Sequence, residues 1–174
     1  MNAQAVVAIL TTLDDAGIRV WLDGGWGVDA LLEVQTREHR DLDLIVSDHN
    51  VERLTDTLVG AGFAPSKLGG TPTNFVMVHL DYGEVDIHAI EFDDRGYGIF
   101  LLPDGRRWPF PPSAFGGQGL VAERRVNCLS TEAQVQCHGQ GYKPTEIDLK
   151  DMERLQLRFG VVLPLSLCRL GNNP

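Results

Sequence analysis

The segment from Trp21 to Val46, which reads WLDGGWGVDALLEVQTREHRDLDLIV, has the clearest fold signals in the chain. A short apolar segment leads through Gly24-Gly25 into a helix-like run, and the stretch ends in the alternating pattern Asp-Leu-Asp-Leu at 41–44. Because side chains alternate between the two faces of a strand, Asp41 and Asp43 share one face while the leucines point into the core. The stretch therefore predicts a strand, a Gly-Gly turn, a helix and a second strand.

Asp41 and Asp43 form the first candidate functional group. Carboxylates side by side repel each other unless a cation lies between them, and Mg²⁺ prefers such oxygen ligands. Gly24 and Gly25 let the backbone approach a phosphate closely, while N–H groups at the helix start point at the anion. Together these features predict a site for a metal-bound nucleoside triphosphate. The alternative for each motif alone is an exposed strand face or an ordinary turn.

A second acidic strand strengthens this interpretation. Residues 75–80 and 84–90 are typical of two strands joined by a tight turn. In the second strand Glu84, Asp86 and His88 share one face, so Asp86 is a third strand-borne carboxylate. An unpaired buried charge is costly, and a functional face therefore explains inward-pointing Asp86 and His88. The alternative is a solvent-facing edge.

Cationic side chains gather immediately before the first acidic strand, at Arg37, His39 and Arg40. Arginine can bind phosphate through two parallel hydrogen bonds, so Arg37 and Arg40 are candidates for holding a triphosphate tail. The alternative is that they pair with Glu38 and neighbouring aspartates.

The composition indicates one folded domain. The chain has 174 residues, 43% of them hydrophobic and 22% charged, which is sufficient for a sizeable core. Its net charge of -9 argues against a general nucleic-acid surface, which needs a basic face to neutralise phosphates. An acidic field instead favours cationic small molecules.

The cysteines and the apolar segments bear on location. Cys128, Cys137 and Cys168 lack metal-type spacing and leave an odd thiol, so reduced thiols are expected. The sequence shows no basic-then-apolar signal at its start and no apolar run near the length of a membrane span. We therefore expect a cytoplasmic protein with no membrane partner.

The remaining segments are predicted to have mainly structural roles. An amphipathic helix over residues 6–13 stops near Gly17, and a second helix, after the acidic strand, stops near Gly62. Residues 69–74 are a loop by composition. The segment from 92 to 126 is rich in Gly and Pro and predicts short strands and turns.

Further predictions concern the second half of the chain. Short strands are expected at 98–102 and 121–128, and a Pro-Asp-Gly turn at 103–105. Helices are expected at 130–138 and 147–159. The aromatic residues of the Gly- and Pro-rich segment either line a substrate cleft or fill the core: Trp108, Phe110 and Phe115.

The local motifs resemble those of a known family. Gly-Gly-Trp followed by Arg-Glu-His-Arg-Asp-Leu-Asp at 37–43 resembles the antibiotic nucleotidyltransferases of the polymerase β superfamily. The likeness is greatest to the small lincosamide adenylyltransferases, and the aminoglycoside 2″-nucleotidyltransferases have a looser version of the pattern. It extends from about Val20 to Met152, through residues 84–88 and 130–134.

The resemblance implies a fold and its division. We expect a mixed α/β (α+β) polymerase β-like nucleotidyltransferase fold with a sheet of about five strands flanked by helices. One nucleotidyltransferase domain would span 1–174, with a core of about 1–92, a smaller flank of about 93–160 and an irregular tail at 161–174. A homodimer that shares its cleft between two copies is compatible with the sequence.

The resemblance also implies an activity. The enzyme would use Mg²⁺ and move AMP from ATP to a hydroxyl of a small antibiotic, a lincosamide in preference to an aminoglycoside. Asp86 would act as the general base and as a metal ligand with Asp41 and Asp43. The alternative of another class is a non-catalytic or antitoxin-type module that acts through a protein partner.

The same resemblance suggests further contacts. Gly24, Gly25, Arg37, Arg40 and Lys150 would bind the nucleotide, although Lys150 is equally compatible with a solvated helix face. The candidates for antibiotic contacts are Glu84, His88 and Trp108.

Overall fold

The computed structural model describes residues 1–102 and 105–170. Its α-helices are α1 (Ala3–Asp15), α2 (Gly24–Leu32), α3 (Val51–Gly60), α4 (Thr131–Gln136), α5 (Glu146–Phe159) and α6 (Leu165–Cys168). Its strands are β1 (Val20–Leu22), β2 (Asp41–Ser47), β3 (Ala64–Thr71), β4 (Asn74–His79), β5 (Gly83–Phe92), β6 (Gly98–Leu101), β7 (Arg107–Phe110), β8 (Gly117–Val121) and β9 (Arg124–Cys128). Asp48–Asn50 and Pro112–Gly116 are 3₁₀ turns, and Cys137–Gly141 is a π-helical turn.

The strands form one mixed sheet. Its order is β3-β4-β5-β2-β1-β9-β8, and β6 and β7 extend from the far end of β5. The pairs β2–β5 and β1–β9 are parallel, and the other pairs are antiparallel. The expected mixed α/β architecture is confirmed.

The strand count was underestimated, because about five strands were expected and the described residues form nine. The additional strands come mainly from the Gly- and Pro-rich segment, which supplies the hairpin of β6 and β7 and then β8. The segment 69–74, predicted as a loop, is also largely strand, because β3 runs on to Thr71 and β4 begins at Asn74. Cross-strand pairing overrides low local strand propensity in both places.

The register of β2 and β5 positions the predicted acidic residues. In this parallel pair Asp41 lies opposite Glu84, and Asp43 lies opposite Asp86. The intervening apolar residues Leu42, Leu44, Val85 and Ile87 are fully buried. The alternation predicted for both strands is therefore confirmed, and their carboxylates share one face of the sheet.

Two apolar clusters cover the sheet. The larger one packs α1, α2, α3 and α5 against the face of β2 and β5 opposite the carboxylates. The smaller one lies on the carboxylate side and contains Trp21, Ile45, Ile90, Phe110, Ala114, Leu129 and Ala133. The aromatic residues of the Gly- and Pro-rich segment pack against this second cluster and enclose that side of the sheet.

Helix boundaries follow the expected signals. Gly17 ends α1 and Gly160 ends α5, each with positive φ (68° and 73°). Thr145 begins α5 with a reciprocal capping box to Asp148. Ile147 and Phe159, the first and last residues of the helix expected at 147–159, are 54% and 44% exposed.

The end of the chain differs from the prediction. Residues 165–168 form the short helix α6, where an irregular tail was expected. The side chain of Leu167, within this helix, is fully buried. Pro103 and Asp104 of the predicted turn, and residues 171–174 of the predicted tail, lie outside the described residues. In the part of the chain that the structure describes, none of the helices has the length and apolar character needed to cross a membrane.

Candidate active site

A cavity of about 470 Å³ opens on the carboxylate face of β2 and β5. Its acidic lining residues are Asp23, Asp41, Asp43, Asp86 and Asp148. Its basic lining residues are Arg37, His39, His88 and His138. Apolar side chains form the remaining wall, chiefly Ile45, Ile90, Phe100, Leu102, Trp108 and Phe110. The start of α2 contributes Gly24 and Gly25.

The centre of the cavity is an acidic cluster. Ligand atoms of Asp43, Asp86 and His88 lie within 4.8 Å of one another. His88 Nε2 is 3.7 Å from Asp43 Oδ1 and 3.9 Å from Asp86 Oδ2. Asp86 Oδ1 is buried and has no hydrogen-bond partner among the described residues. With Asp41 on the same strand face, these oxygen donors fit a hard divalent cation such as Mg²⁺.

Electrostatics within the cluster favour a bound cation. Burial and the charge of Asp43 raise the pKa of Asp41. Burial is also the main reason why the pKa of Asp86 is raised; the charge of His88 opposes the shift, and the charges of Asp43 and Asp41 add to it. For His88, burial alone would lower the pKa, but the nearby carboxylates of Asp43 and Asp86 raise it. The cluster thus carries an excess of negative charge that a divalent cation would relieve.

The glycines at the start of α2 permit close approach. Gly24 has φ of +58°, and a Cβ there would lie 2.1 Å from Asp43 Oδ2. A Cβ on Gly25 would lie 2.3 Å from His39 Nδ1 and 2.5 Å from Arg37 Nη2. The helix start therefore lies directly beside both the acidic strand and the basic loop, and it leaves no room for a side chain.

Buried carboxylates fix the basic loop between α2 and β2. His39 is 5% exposed, its Nε2 lies 2.5 Å from Asp29 Oδ2, and its ring packs on Trp26. Arg37 Nε donates to Asp151 Oδ2 at 3.0 Å. The pairing of Arg37 is therefore with α5, and its only described contact to Glu38 is a hydrogen bond from Nη1 to the carbonyl oxygen.

Three of the predicted contact residues are not among the described residues that line this cavity. Arg40, Glu84 and Lys150 are exposed and are absent from its described lining. Arg40 and Glu84 stand at the ends of β2 and β5 beside Asp41, whereas Lys150 is on the outer side of α5. The other predicted residues, including His88 and Trp108, line the cavity together.

Sequence reasoning missed a buried network around Asp148. Its carboxylate accepts hydrogen bonds from Tyr142 Oη at 2.5 Å, Thr145 N at 2.7 Å and Thr145 Oγ1 at 2.6 Å. His138 Nδ1 is 2.8 Å from Asp148 Oδ1. Burial opposes ionisation of Asp148, but the hydrogen bonds from His138, Thr145 and Tyr142 outweigh it and lower the pKa.

The same network perturbs His138. Burial alone would lower the pKa of His138, but the hydrogen bond to Asp148 and the charge of Asp23 raise it. Asp23 Oδ1 is itself buried without a partner among the described residues. The threonine-to-aspartate spacing at 145–148 is a capping-box signal that could have revealed Asp148, but no local pattern marks His138.

The aromatic residues divide between cleft and core. Trp108 and Phe110 line the cavity, and Trp108 Nε1 is buried without a described partner. Phe115 packs against Trp21 and Phe92 with ring centroids 5.2 and 4.9 Å apart, outside the described lining. Trp108 and Phe110 thus line the cavity, although Phe110 also belongs to the smaller apolar cluster, and Phe115 packs in the core.

Comparison with known proteins decides the family. Residues 5–155 match the family described as aminoglycoside-2″-adenylyltransferase. The chain belongs to this family. The adenylyltransferase match spans α1 to the middle of α5 and includes every cavity-lining residue named above. It confirms the resemblance inferred from the glycine and aspartate motifs, and with it an enzyme of the nucleotidyltransferase class.

Similar proteins fall into two groups. A lincosamide resistance protein of Staphylococcus haemolyticus is 33% identical over 148 residues, which cover 85% of this chain and 90% of that protein. A 2″-aminoglycoside nucleotidyltransferase of Escherichia coli is 32% identical over 133 residues, covering 72% of this chain and 66% of that protein.

A solved structure supports the fold. The lincosamide antibiotic adenylyltransferase LnuA, whose crystal structure has lincomycin bound, is 31% identical in sequence to this chain. It superposes with a TM-score of 0.76 and covers 88% of this chain and 95% of its own. The expected nucleotidyltransferase fold is thereby confirmed.

Proposed function

We propose that this adenylyltransferase moves AMP from ATP to a hydroxyl of a lincosamide antibiotic, with Mg²⁺ bound. The observation that carries the proposal is the register pair Asp43 and Asp86, which places two carboxylates in one cavity beside the glycine start of α2. The solved relative with lincomycin bound supports the choice of acceptor. Because ATP is the donor, the proposal includes a cytoplasmic location.

The donor atoms that line the cavity support the proposed metal and nucleotide contacts. Asp41, Asp43 and Asp86 would hold Mg²⁺, which when bound neutralises phosphate charge and makes the attacking hydroxyl more acidic. N–H groups of Gly24 and Gly25 at the start of α2 would bind phosphate oxygens. Arg37, which reaches this helix start, would add a charged contact to the triphosphate.

Asp86 would act as the general base. Its buried Oδ1 has no other described partner, so it is available to accept the hydroxyl proton. Its raised pKa makes it a better base than an ordinary aspartate. The hydroxyl oxygen then bonds to the α-phosphorus, the bond from the α-phosphorus to the bridging oxygen breaks, and pyrophosphate leaves.

The apolar wall favours a lincosamide over a more highly charged drug. Lincosamides carry one amine on a sugar-like ring with an apolar tail, and Phe100, Trp108 and Phe110 provide matching surface. Trp108 Nε1 would donate a hydrogen bond to the drug, because a buried indole N–H normally finds a partner. His88, whose ring lies edge-on to Phe100, would contact the drug between this wall and the metal.

An aminoglycoside is the second candidate acceptor. The matched family carries that name, and a net charge of -9 would attract several ammonium groups. Long-range attraction is screened by salt, whereas the apolar wall acts by direct contact. We therefore place the lincosamide first.

Pyrophosphate release in the presence of ATP and Mg²⁺ tests both candidates. With lincomycin added, release should be fast and should stop when Mg²⁺ is chelated, and kcat/KM for lincomycin should exceed that for kanamycin. A higher kcat/KM for kanamycin would show that the preferred acceptor is an aminoglycoside instead of a lincosamide. No pyrophosphate release with either drug would refute both candidates and favour the alternative, a non-catalytic module that acts through a protein partner.

A further inference from the structure

Arg37 is held by a residue far away in the sequence. Its Nε and Nη2 both approach Asp151 Oδ2, at 3.0 and 2.9 Å, across 114 residues of chain. Asp151 lies on α5 and its side chain is 2% exposed, whereas that of Arg37 is 30% exposed. Thus a buried carboxylate on α5 anchors a partly exposed guanidinium at the cavity.

Both oxygens of Asp151 are engaged. Oδ2 accepts from Arg37, and Oδ1 accepts from Arg154 Nη1 at 2.8 Å. A buried carboxylate without partners would be costly, so this double pairing offsets the burial of Asp151 and holds its side chain in place. The carboxylate and its two guanidiniums retain a net positive charge, which faces the cavity through Arg37.

The anchored guanidinium keeps free donors at the correct place. Arginine has five N–H groups, and among the described residues the contacts to Asp151 and to the Glu38 carbonyl occupy three, which leaves one on Nη1 and one on Nη2 for a ligand. Arg37 Nη2 lies 2.5 Å from where a Cβ on Gly25 would be, so the remaining N–H group of Nη2 lies beside the start of α2. Holding a long side chain in its bound orientation reduces the entropy lost when a ligand binds.

We propose that Asp151 is a positioning residue that holds the Arg37 guanidinium over the start of α2, where it contacts a phosphate of the nucleotide. The inference rests on the proposed function, because it takes the triphosphate as the ligand. It gives α5 a role in nucleotide capture, although Asp151 itself lies outside the described cavity lining.

The test compares Asp151→Asn with Glu153→Gln. Both remove one carboxylate from α5, but Glu153 is on the exposed side of the helix. The Kd for α,β-methylene ATP with Mg²⁺, measured by calorimetry, should rise about 10-fold in Asp151→Asn, which corresponds to about 1.4 kcal/mol. It should change less than about 2-fold in Glu153→Gln, and kcat at saturating ATP should fall by less than about 3-fold in both.

A double-mutant cycle separates positioning from a general structural effect. If Asp151 acts through Arg37, then Asp151→Asn added to Arg37→Gln should weaken analogue binding no further than Arg37→Gln alone. Equal weakening in both backgrounds would overturn the inference. So would wild-type affinity in Asp151→Asn.

Folding and function can be distinguished in the same experiments. If circular dichroism shows that Asp151→Asn is unfolded, Arg37→Lys replaces it, because lysine keeps the charge but cannot present two N–H groups to one oxygen in the same fork. Its Kd should rise several-fold, and unchanged affinity would refute the inference. Failure of the wild type to bind the analogue would refute the proposed function as well, whereas normal wild-type binding confines any failure to Asp151.

Discussion

Gly24→Ala is the substitution whose effect on the active site can be worked out most fully from the structure. Two costs arise at this position. The backbone φ is +58°, a conformation that costs a residue with a Cβ about 1–2 kcal/mol. The new Cβ would also lie 2.1 Å from Asp43 Oδ2, whereas real Cβ contacts are essentially never under 3.0 Å, so the carboxylate must move by about 0.9 Å.

The expected loss of activity follows from the displacement of the Asp43 carboxylate. A misplacement of about 1 Å in a reacting assembly can lower the rate about 100-fold. We therefore expect kcat for antibiotic adenylylation to fall about 100-fold in Gly24→Ala. The melting temperature should fall by about 2–8 °C, since a domain of this size loses about 2–4 °C per kcal/mol.

Gly17→Ala is the matched control. Gly17 has φ of +68°, but no heavy atom lies within 4 Å of a Cβ there. It should therefore show a similar loss of melting temperature with near-normal kcat. Steady-state kinetics measure kcat, and thermal melts measure the melting temperature, of both variants. Equal kcat in the two variants, or an active Gly24→Ala, would refute the placement of Asp43 against the start of α2.

Three other substitutions address separate parts of the site. Asp86→Asn should lower kcat about 100-fold or more with little change in the Kd of the ATP analogue, and an equal collapse of analogue binding would make Asp86 chiefly a metal ligand. Trp108→Phe removes an unpartnered indole N–H and should raise the KM for lincomycin several-fold with the KM for ATP unchanged; the reverse pattern in bisubstrate kinetics would contradict the antibiotic wall. Asp148→Asn should lower the free energy of unfolding at pH 7. Because hydrogen bonds lower the pKa of Asp148 despite its burial, its stabilisation is present above its unfolded pKa, about 4, and is lost as the pH falls through the folded value. Urea titrations should therefore show the wild type and Asp148→Asn converging in unfolding free energy below about pH 4, and a constant gap would contradict the assignment.

The parts of the site predicted from sequence are those fixed by local periodicity. Alternation along a strand placed Asp41 with Asp43 and Asp86 with His88, and the buried leucines and valines between them confirm both faces. The parallel register that brings Asp43 opposite Asp86 required tertiary structure, because no turn links β2 to β5 directly. The resemblance nevertheless implied that these carboxylates would meet.

The parts that escaped prediction depend on contacts between distant segments. Arg37 and Asp151 are 114 residues apart, and nothing in either local sequence indicates their pairing. His138 lies in a π-helical turn, a rare conformation without a reliable sequence signal. The strands β7 and β8 were missed, and the end of β3 was predicted as a loop, because their stability comes from neighbours in the sheet rather than from propensity.

Adenylylation of a lincosamide can be detected by mass spectrometry of lincomycin after incubation with the protein, ATP and Mg²⁺. Lincomycin should gain the mass of one AMP unit, and pyrophosphate should form in equal amount. Asp43→Asn should yield no such product, because Asp43 belongs to both the candidate metal cluster and the register pair with Asp86. Unmodified lincomycin with the wild type would refute the proposed transfer, and full modification by Asp43→Asn would refute the proposed site.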